Sequence, residues 1–152
     1  MLQRVQTLYL LVVFFLAILM LTGPLAFITQ EQGGMFLRHS GLFDASGNKL
    51  ALSTWPLTTM IILSVVTSFF TIFMYKHRIR QMRFVSFQMF FNLGMIGIIY
   101  YYVRYAMHNF DGIAFVFQWR IVIPLIMLIL LILAFRGIRR DELLVKAADR
   151  LR

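Results

Sequence analysis

Residues 123–152, IPLIMLILLILAFRGIRRDELLVKAADRLR, join an apolar run to a tail that carries nine charged side chains. The apolar part extends back to Phe115 and is interrupted only by Gln118 and Arg120. An apolar segment of about 20 residues is long enough to cross a bilayer as a helix. The stretch therefore predicts a membrane span that ends near residue 135 and a polar segment that lies outside the bilayer.

The composition of the whole chain supports this interpretation. Hydrophobic residues make up 61% of the 152 residues and charged residues only 14%. A soluble domain of this length could not bury so much apolar surface, so the composition predicts a membrane protein. The chain has no cysteine, which excludes disulfides and thiolate metal sites.

Apolar segments of spanning length occur at about 7–28, 56–75, 84–106 and 115–135. We expect an all-α membrane protein in which residues 1–135 form a four-transmembrane-helix bundle with an outer loop at 29–55. Pro124 predicts a kink in the fourth span. The first segment could instead be a signal peptide cut after Ala26, although Pro24 suits such a cleavage site poorly.

The positions of the basic residues predict the orientation. Eleven of the fifteen Lys and Arg residues lie at Arg4, at 76–83 or at 136–152, and with their acids they give that side a net charge of +8. The other side has a net charge of +1. Lys and Arg accumulate on the cytoplasmic side of membrane proteins, so both termini are expected in the cytoplasm. Because insertion alone explains this bias, the charge of +9 does not call for nucleic acid as a partner.

The outer loop contains residues 41–52, GLFDASGNKLAL, in which two short runs flank a Ser-Gly-Asn turn. This pattern predicts a small β-hairpin. The second outer link, HNFDG at 108–112, predicts a tight turn.

Reactive groups at membrane depth are the usual sign of function in a membrane protein. None of the four predicted spans contains Asp or Glu, and the three histidines share no spacing that would bind haem or zinc. We therefore expect no catalytic, cofactor-binding or metal site. Arg104 and Arg120 lie near the outer ends of their spans, where they can reach headgroups or pair with Asp111, and an anion-handling role is the alternative.

Small and polar residues recur at helical spacing on the second and third spans. Such residues let helices approach closely and form hydrogen bonds in lipid, so they are predicted to pack the bundle, with a substrate path as the alternative. They are Ser64, Thr67, Ser68, Thr71, Gln88, Asn92, Gly94 and Gly97.

The tail at 136–152 has the pattern of an amphipathic cytoplasmic helix, either continuous with the fourth span or broken at Gly137. Its apolar arc includes Leu143, Leu144 and two alanines, and its polar face mixes acids with bases. Helices that lie on lipid usually show a basic polar face opposite bulky apolar residues. Docking on protein is therefore favoured over lying on the membrane surface.

The two ends of the chain carry specific motifs. LQRVQTLYLL at 2–11 and FRGIRRDELLVKAADRLR at 135–152 resemble the signature ends of domain-of-unknown-function family 4293, whose members are uncharacterised four-span inner-membrane proteins of Bacteroidota. Phe135 and Ala147 depart from the Asn and Ser usual in the family. The resemblance implies a bacterial inner-membrane location and no particular activity.

Two classes of function remain open. The leading hypothesis is a non-enzymatic accessory or scaffold subunit of an inner-membrane protein complex, such as protein-export or envelope machinery, which docks through its cytoplasmic ends. The alternative is a small oligomeric transporter, channel or lipid-handling protein. The residues predicted to bind a partner are Gln3, Arg4, Gln6, Arg140, Asp141, Glu142, Asp149, Arg150 and Arg152.

Overall fold

The computed structural model of the protein describes residues 3–30, 33–44, 46–48, 53–75, 77–109, 113–116 and 118–150. Most of them belong to four helices: α1 (Gln3–Leu21), α2 (Trp55–Phe73), α3 (Arg78–Asn109) and α4 (Ile123–Arg150). The connections contain four strands: β1 (Ala26–Gln30), β2 (Gly33–Arg38), β3 (Gly41–Asp44) and β4 (Ile113–Val116).

Three helical stretches are long and apolar enough to cross a membrane: Trp55–Phe73, Arg78–Tyr105 and Trp119–Val145. The apolar part of α1, Val5–Leu21, is shorter. The chain thus has the membrane-like helices that the composition predicts.

The first helix ends earlier than the first apolar segment. Residues 26–28 begin β1, although the sequence places them at the end of a span. Pro24 explains the change, because proline has no backbone N–H and disfavours helical geometry in the residue before it, which is Gly23. The Thr22 hydroxyl donates to the Leu19 carbonyl at 2.8 Å and so satisfies a carbonyl of the last turn.

The fourth helix begins later than predicted. Residues 113–116 form β4, and a 3-10 turn at Trp119–Val122 precedes α4. Pro124 therefore lies in the first turn of α4, where a missing N–H is tolerated. The predicted kink within this span is wrong for that reason. Beyond its first turn α4 runs unbroken through Gly137 to Arg150.

The strands form one antiparallel sheet in the order β3-β2-β1-β4, which is larger than the predicted hairpin. Residues 41–44 pair with β2 through the turn at His39 and Ser40, with Arg38 opposite Gly41. The predicted second arm at 49–52 lies outside the described residues. Gly47 has φ +81, which glycine adopts without strain. β4 pairs with β1, so the connection between α3 and α4 adds a strand to the sheet in addition to the predicted turn at 108–112.

Each helix packs against two neighbours in the cyclic order α1, α2, α3, α4. The buried residues recur in steps of three and four, which is the seam of a left-handed helical bundle. They are Gln6, Leu10, Val13, Ala17 and Met20 on α1; Leu57, Ile61, Ser64, Ser68 and Thr71 on α2; Gln81, Val85, Gln88, Asn92, Met95, Ile99 and Tyr102 on α3; and Ile123, Met127, Leu131, Ala134, Ile138 and Asp141 on α4.

This seam is mostly apolar but includes amides, hydroxyls and one carboxylate. The remaining faces of the helices expose large apolar side chains such as Phe70, Phe90 and Ile129. An apolar exterior around a narrow seam is what a helical bundle in lipid requires. We call the end that holds the start of α1, the α2–α3 connection and α4 beyond Arg136 the basic end, and the opposite end the sheet end.

Candidate functional site

The motifs at the two ends of the sequence meet in space. At the basic end, the Gln6 side-chain nitrogen Nε2 donates a hydrogen bond of 2.7 Å to Oδ2 of Asp141. Each side chain is only 7% exposed, so the bond is shielded from water. A hydrogen bond to an ionised acceptor is roughly twice as strong as one between neutral groups. Two predicted partner-binding residues are therefore paired with each other inside the chain.

Local sequence makes this contact possible. Among the residues whose side chains the structure describes, Gln6 and Asp141 are the outermost members of the buried seams on α1 and α4. Gly137, one turn before Asp141, leaves space for the glutamine side chain. A Cβ at position 137 would lie 2.9 Å from Cγ of Gln6 and 3.3 Å from its Nε2. Glycine thus permits the approach of α1 that the hydrogen bond needs.

Two further side chains connect the other helices to this end. The Arg78 guanidinium at the start of α3 donates to the Asp141 backbone carbonyl at 3.1 Å. Gln81 is buried and donates from Nε2 to the Thr71 carbonyl at 3.2 Å, which satisfies the last turn of α2. All four helices are therefore linked at the basic end. We call Gln6, Arg78, Gln81, Gly137 and Asp141 the end cluster.

Sequence reasoning missed Arg78, Gln81 and Gly137. In the sequence, Arg78 contributes to the charge bias that predicts the orientation, but no contact is predicted for it. The position of Gln81 carried a signal, since it lies seven residues before Gln88 and therefore on the same helical face. Gly137 predicts only a possible break in the helix.

An open cavity of about 560 Å³ lies beside the end cluster. It is bounded by the start of α3 and by the part of α4 that follows Asp141. Leu143 and Leu144 lie between the lining residues Glu142 and Val145 along α4, and their side chains are 58% and 56% exposed. The residues lining the cavity are His77, Arg78, Ile79, Arg80, Glu142 and Val145.

Two more of the predicted partner-binding residues lie on the same turn of α4 as Asp141. Arg140 is exposed, and Glu142 is partly exposed on the wall of the cavity. The remaining members, whose side chains the structure does not describe, are Gln3, Arg4, Asp149, Arg150 and Arg152. Binding of a partner by this set stays a prediction.

The polar residues predicted to pack the bundle fall into two groups. Gln88 donates from Nε2 to the Ser64 carbonyl at 3.3 Å and to the Ser68 hydroxyl. Asn92 donates to the Gln88 backbone carbonyl at 3.1 Å. These four side chains are fully buried. Within the described part of the chain, however, the carbonyl oxygens Oε1 of Gln88 and Oδ1 of Asn92 have no hydrogen-bond partner.

The second group makes fewer contacts between helices. The Thr67 and Thr71 hydroxyls donate to carbonyls of their own helix, those of Leu63 and Thr67, at 2.7 and 2.6 Å. A Cβ on Gly94 would lie 3.9 Å from the Met60 methyl group, whereas one on Gly97 would meet nothing within 4 Å. Gly97 thus faces the outside of the bundle.

At the sheet end, Arg120 packs against Gly23. A Cβ on Gly23 would overlap the guanidinium, and Arg120 also lies over the Trp119 ring at 5.3 Å. Its Nε has no partner among the residues the structure describes. Arg104 is exposed on α3, and Asp111, the partner suggested from the sequence, lies outside the described residues.

His39 ties the outer loop to the start of α2. Its backbone carbonyl accepts hydrogen bonds from the hydroxyls of Thr54, at 2.6 Å, and Thr58. Burial, and secondarily the charge of Arg38, lowers the pKa of the His39 imidazole. A lower pKa favours the neutral form of the ring. The contacts of His39 are those of a loop anchor.

The end cluster joins residues from the two terminal motifs, and the match to a family extends between them. No curated protein and no solved structure matches this chain. The family described as Domain of unknown function (DUF4293) matches residues 2–151, nearly the whole chain. The protein therefore belongs to the DUF4293 family.

Proposed function

We propose that the protein is a non-enzymatic subunit of a bacterial inner-membrane protein complex and that it docks on its partner through the basic end. In this proposal all four helices cross the membrane and both termini are cytoplasmic. The charge difference between the two ends supports the orientation. The length of α1, 19 residues, falls within the range of about 17–25 residues that suffices for a span.

The observation that carries the proposal is the preorganised projection of α4. Hydrogen bonds from Gln6 and Arg78 hold Asp141 at the end of the bundle. Beyond that point α4 continues as a helix, with Leu143 and Leu144 more than half exposed. A rigid helix with an apolar patch and interspersed charges can dock without a large loss of conformational entropy. The end cluster thus acts as the base of a docking helix.

The end cluster also changes the roles within the predicted partner-binding set. Gln6 and Asp141 hold α4 in place, and Arg140, Leu143 and Leu144 are exposed on α4, with Glu142 partly exposed beside them. Their mixed charges favour a protein partner over a bare lipid surface, which is bound mainly through basic and bulky apolar side chains. Protein-export or envelope machinery is the class of host that we propose.

The absence of cysteine allows one experiment to test orientation and docking together. Leu144→Cys and Asn48→Cys each introduce a single exposed thiol, at the basic end and the sheet end. In intact spheroplasts, a membrane-impermeant maleimide should label Asn48→Cys and leave Leu144→Cys unlabelled. A thiol-directed crosslinker added to membranes should give a discrete protein adduct with Leu144→Cys only, to be identified by mass spectrometry.

Either of two results would contradict the proposal. Labelling of Leu144→Cys from outside the cell would reverse the orientation. Recovery of Leu144→Cys without any protein adduct, from membranes in which the chain is correctly inserted, would exclude docking through α4. Adducts of equal yield from both variants would show random collision.

The second candidate function is a small oligomeric transporter or channel. One observation favours it: the carbonyl oxygens of Gln88 and Asn92 are buried inside the bundle without donors. Buried polar groups without protein partners commonly hold water or a ligand. A bound donor at this depth would be the start of a polar path.

A further inference from the structure

The tryptophans and tyrosines of the chain lie near the two ends of the bundle. The sequence has two tryptophans and six tyrosines. Tyr9 and Tyr75 lie close to the basic end, on the second turn of α1 and in the connection between α2 and α3. The other six lie toward the sheet end, and five of these have exposed side chains: Trp55, Tyr100, Tyr101, Tyr105 and Trp119. We call these five residues the aromatic collar.

The phenylalanines are distributed differently. Exposed phenylalanines such as Phe15, Phe70 and Phe90 lie between the two ends of the helices. Phenylalanine is wholly apolar, whereas the rings of tryptophan and tyrosine combine an apolar body with one hydrogen-bonding group. Tryptophan and tyrosine therefore accumulate at the boundary between hydrocarbon and water. The contrast indicates that the membrane boundary at the sheet end lies at the aromatic collar.

Contacts around the collar bring its members to one junction between helices and sheet. The Tyr102 hydroxyl donates at 3.1 Å to the carbonyl of Ser53, two residues before Trp55. The ring centroids of Tyr101 and Tyr105 are 6.3 Å apart. The collar residues of α2 and α3 are therefore neighbours at the same end of the bundle.

Trp119 reaches the same junction through the residue that follows it. The guanidinium of Arg120 packs against Gly23, which lies between the end of α1 and the start of β1. The collar thus continues from α2 and α3 to the beginning of α4.

The lengths of the helices place the collar about one hydrocarbon thickness from the basic end. Trp119 precedes Arg136, the first charged residue after the apolar run of α4, by 17 residues. Tyr101 follows Arg83, the last charged residue before the apolar run of α3, by 18 residues. A helix rises about 1.5 Å per residue, so these separations are roughly 25–27 Å. The hydrocarbon core of a bilayer is about 30 Å thick.

The topology of the sheet indicates the same boundary independently. The order β3-β2-β1-β4 leaves β3 and β4 as edge strands, and within the described part of the chain each is paired on one side only. Open sheet edges do not occur in hydrocarbon, because their N–H and C=O groups would have no partner there. The sheet therefore belongs outside the hydrocarbon, and the boundary falls where the helices meet it.

Arg104 adds a charged group at the outer edge of the collar. It is exposed and follows Tyr100 by four residues, so it lies on the same face of α3 and about 6 Å further from the centre of the bundle. The headgroup layer is about 5–8 Å thick on each side of a bilayer. Rings at the level of the glycerol and a guanidinium at the level of the phosphate fit within this layer.

We propose that the aromatic collar binds the phospholipid headgroup layer at the sheet end and holds the sheet just outside the membrane, in water. The rings of Trp55, Tyr101 and Trp119 lie at the level of the lipid glycerol. This inference rests on the membrane-spanning helices of the proposed function. It requires neither a protein partner nor a particular orientation of the chain.

Tryptophan fluorescence of the reconstituted full chain tests the depth, because both tryptophans of the sequence belong to the collar. Trp55→Phe and Trp119→Phe each leave one tryptophan. Each variant is placed in vesicles of phosphatidylethanolamine and phosphatidylglycerol that carry a spin label either next to the headgroup or near the end of an acyl chain. We expect the shallow label to quench each tryptophan roughly twice as strongly as the deep label, as for a ring at the interface.

Two substitutions in the double variant Trp55→Phe/Trp119→Phe calibrate the depth. Phe90→Trp places the ring on the exposed side of α3 between the two ends, and the deep label should quench it most strongly. Ser40→Trp places the ring in the exposed turn between β2 and β3. Iodide present on both sides of the membrane should quench it, and neither lipid label should do so strongly.

Three results would overturn the proposal. Quenching of Trp55 or Trp119 mainly by the deep label would place that ring inside the hydrocarbon. Quenching of both by iodide alone would place the collar in water. Either result leaves the proposed function intact if the deep label quenches Phe90→Trp. Absence of deep quenching in Phe90→Trp would show that the bundle does not span, which would contradict the proposed function as well.

Discussion

Gln6 and Gln88 are the same residue in the same kind of buried seam position, but their surroundings differ. Gln6, at the basic end, donates to the carboxylate of Asp141 at 2.7 Å. Gln88, in the middle of the bundle, donates to a backbone carbonyl at 3.3 Å and to a hydroxyl, and its own carbonyl oxygen lacks a donor. A charged acceptor strengthens a hydrogen bond, whereas an unpaired buried acceptor loses its hydration.

The buried polar side chains therefore have two different roles in the structure. The Gln6–Asp141 pair joins residues 135 positions apart in the chain and fixes where α4 leaves the bundle. In the middle of the bundle, Gln88 joins α3 to α2 by bonds to neutral acceptors, and Asn92 bonds only to a carbonyl of its own helix among the described contacts. We infer that the polar contacts at the basic end specify one arrangement of α1 and α4. The amides in the middle of the bundle contribute little to the free energy of unfolding.

The largest expected effect comes from breaking the Gln6–Asp141 pair. Gln6→Leu leaves a buried carboxylate without its donor, and we expect a loss of about 1.5–3 kcal/mol in the free energy of unfolding. Asp141→Leu leaves the Gln6 amide without its acceptor and should cost about 1–3 kcal/mol. The double variant should cost less than the sum of the two. Unfolding in detergent, followed by circular dichroism in a double-mutant cycle, measures the coupling.

The exposed neighbour Arg140 supplies the control for this cycle. Arg140→Leu changes a charge on the same turn of α4 without touching Gln6, so its effect should stay within about 0.5 kcal/mol. If the losses from Gln6→Leu and Asp141→Leu were simply additive, the pair would be uncoupled and the contrast with Gln88 would disappear.

Substitution of glycine by alanine should change the free energy of unfolding by a smaller amount, and with opposite signs at Gly137 and Gly97. At Gly137 a methyl group would push the Gln6 side chain away from Asp141, so Gly137→Ala should destabilise the protein by about 1 kcal/mol net. Gly97→Ala places its methyl in open space on α3 and should stabilise it by about 0.5–1 kcal/mol through helix propensity. Thermal unfolding of the two variants in one detergent gives the comparison.

Removing the Gln6 side chain should abolish the penalty at Gly137. In a Gln6→Ala background, Gly137→Ala should become neutral or stabilising, as at Gly97. A penalty that persisted in this background would mean that the close approach of α1 and α4, and not the glutamine, selects glycine.

The sequence predicted the presence of the helices more easily than the residues at which they begin and end. Apolar runs locate helices in lipid, but residues 26–28 continue such a run although they begin a strand, and periodicity alone does not distinguish the two. The buried seam of α1 is equally hard to read. Leu10 and Val13 face the core and Leu8 and Val12 face outward, and all four are apolar because lipid is as apolar as the core.

Two members of the end cluster could be singled out from the sequence, but not their contact with each other. Gln6 and Asp141 stood out because they belong to the two terminal motifs, and their polar side chains suggested recognition of a partner. A pairing across 135 positions depends on how α1 and α4 align, which a single sequence does not contain. The contact of Gln88 with a neighbouring helix was easier to predict, because a polar side chain in an apolar helix usually bonds to another helix, whereas Asn92 bonds to a carbonyl of its own helix.

The smallest effect is expected in the middle of the bundle. Gln88→Leu removes the weak bonds to Ser64 and Ser68 together with the carbonyl oxygen that lacks a donor, and leucine fills a similar volume. Side-chain hydrogen bonds between membrane helices contribute about 0.6 kcal/mol on average, so the net change should lie within about 0.5 kcal/mol. The same unfolding assay measures it, with Ser68→Ala as a control that removes one acceptor and keeps the glutamine.

A large loss of stability with Gln88→Leu would contradict the contrast between Gln6 and Gln88. If the variant lost more than about 1.5 kcal/mol while Ser68→Ala lost little, the carbonyl oxygen of Gln88 would have to be satisfied by a bound donor such as water. Asn92→Leu should then show a loss of similar size, because its unpaired oxygen lies one turn away on the same face. That pair of losses would favour a hydrated site inside the bundle and thus a transport function. Two small changes would leave the basic end as the region where buried polarity determines structure.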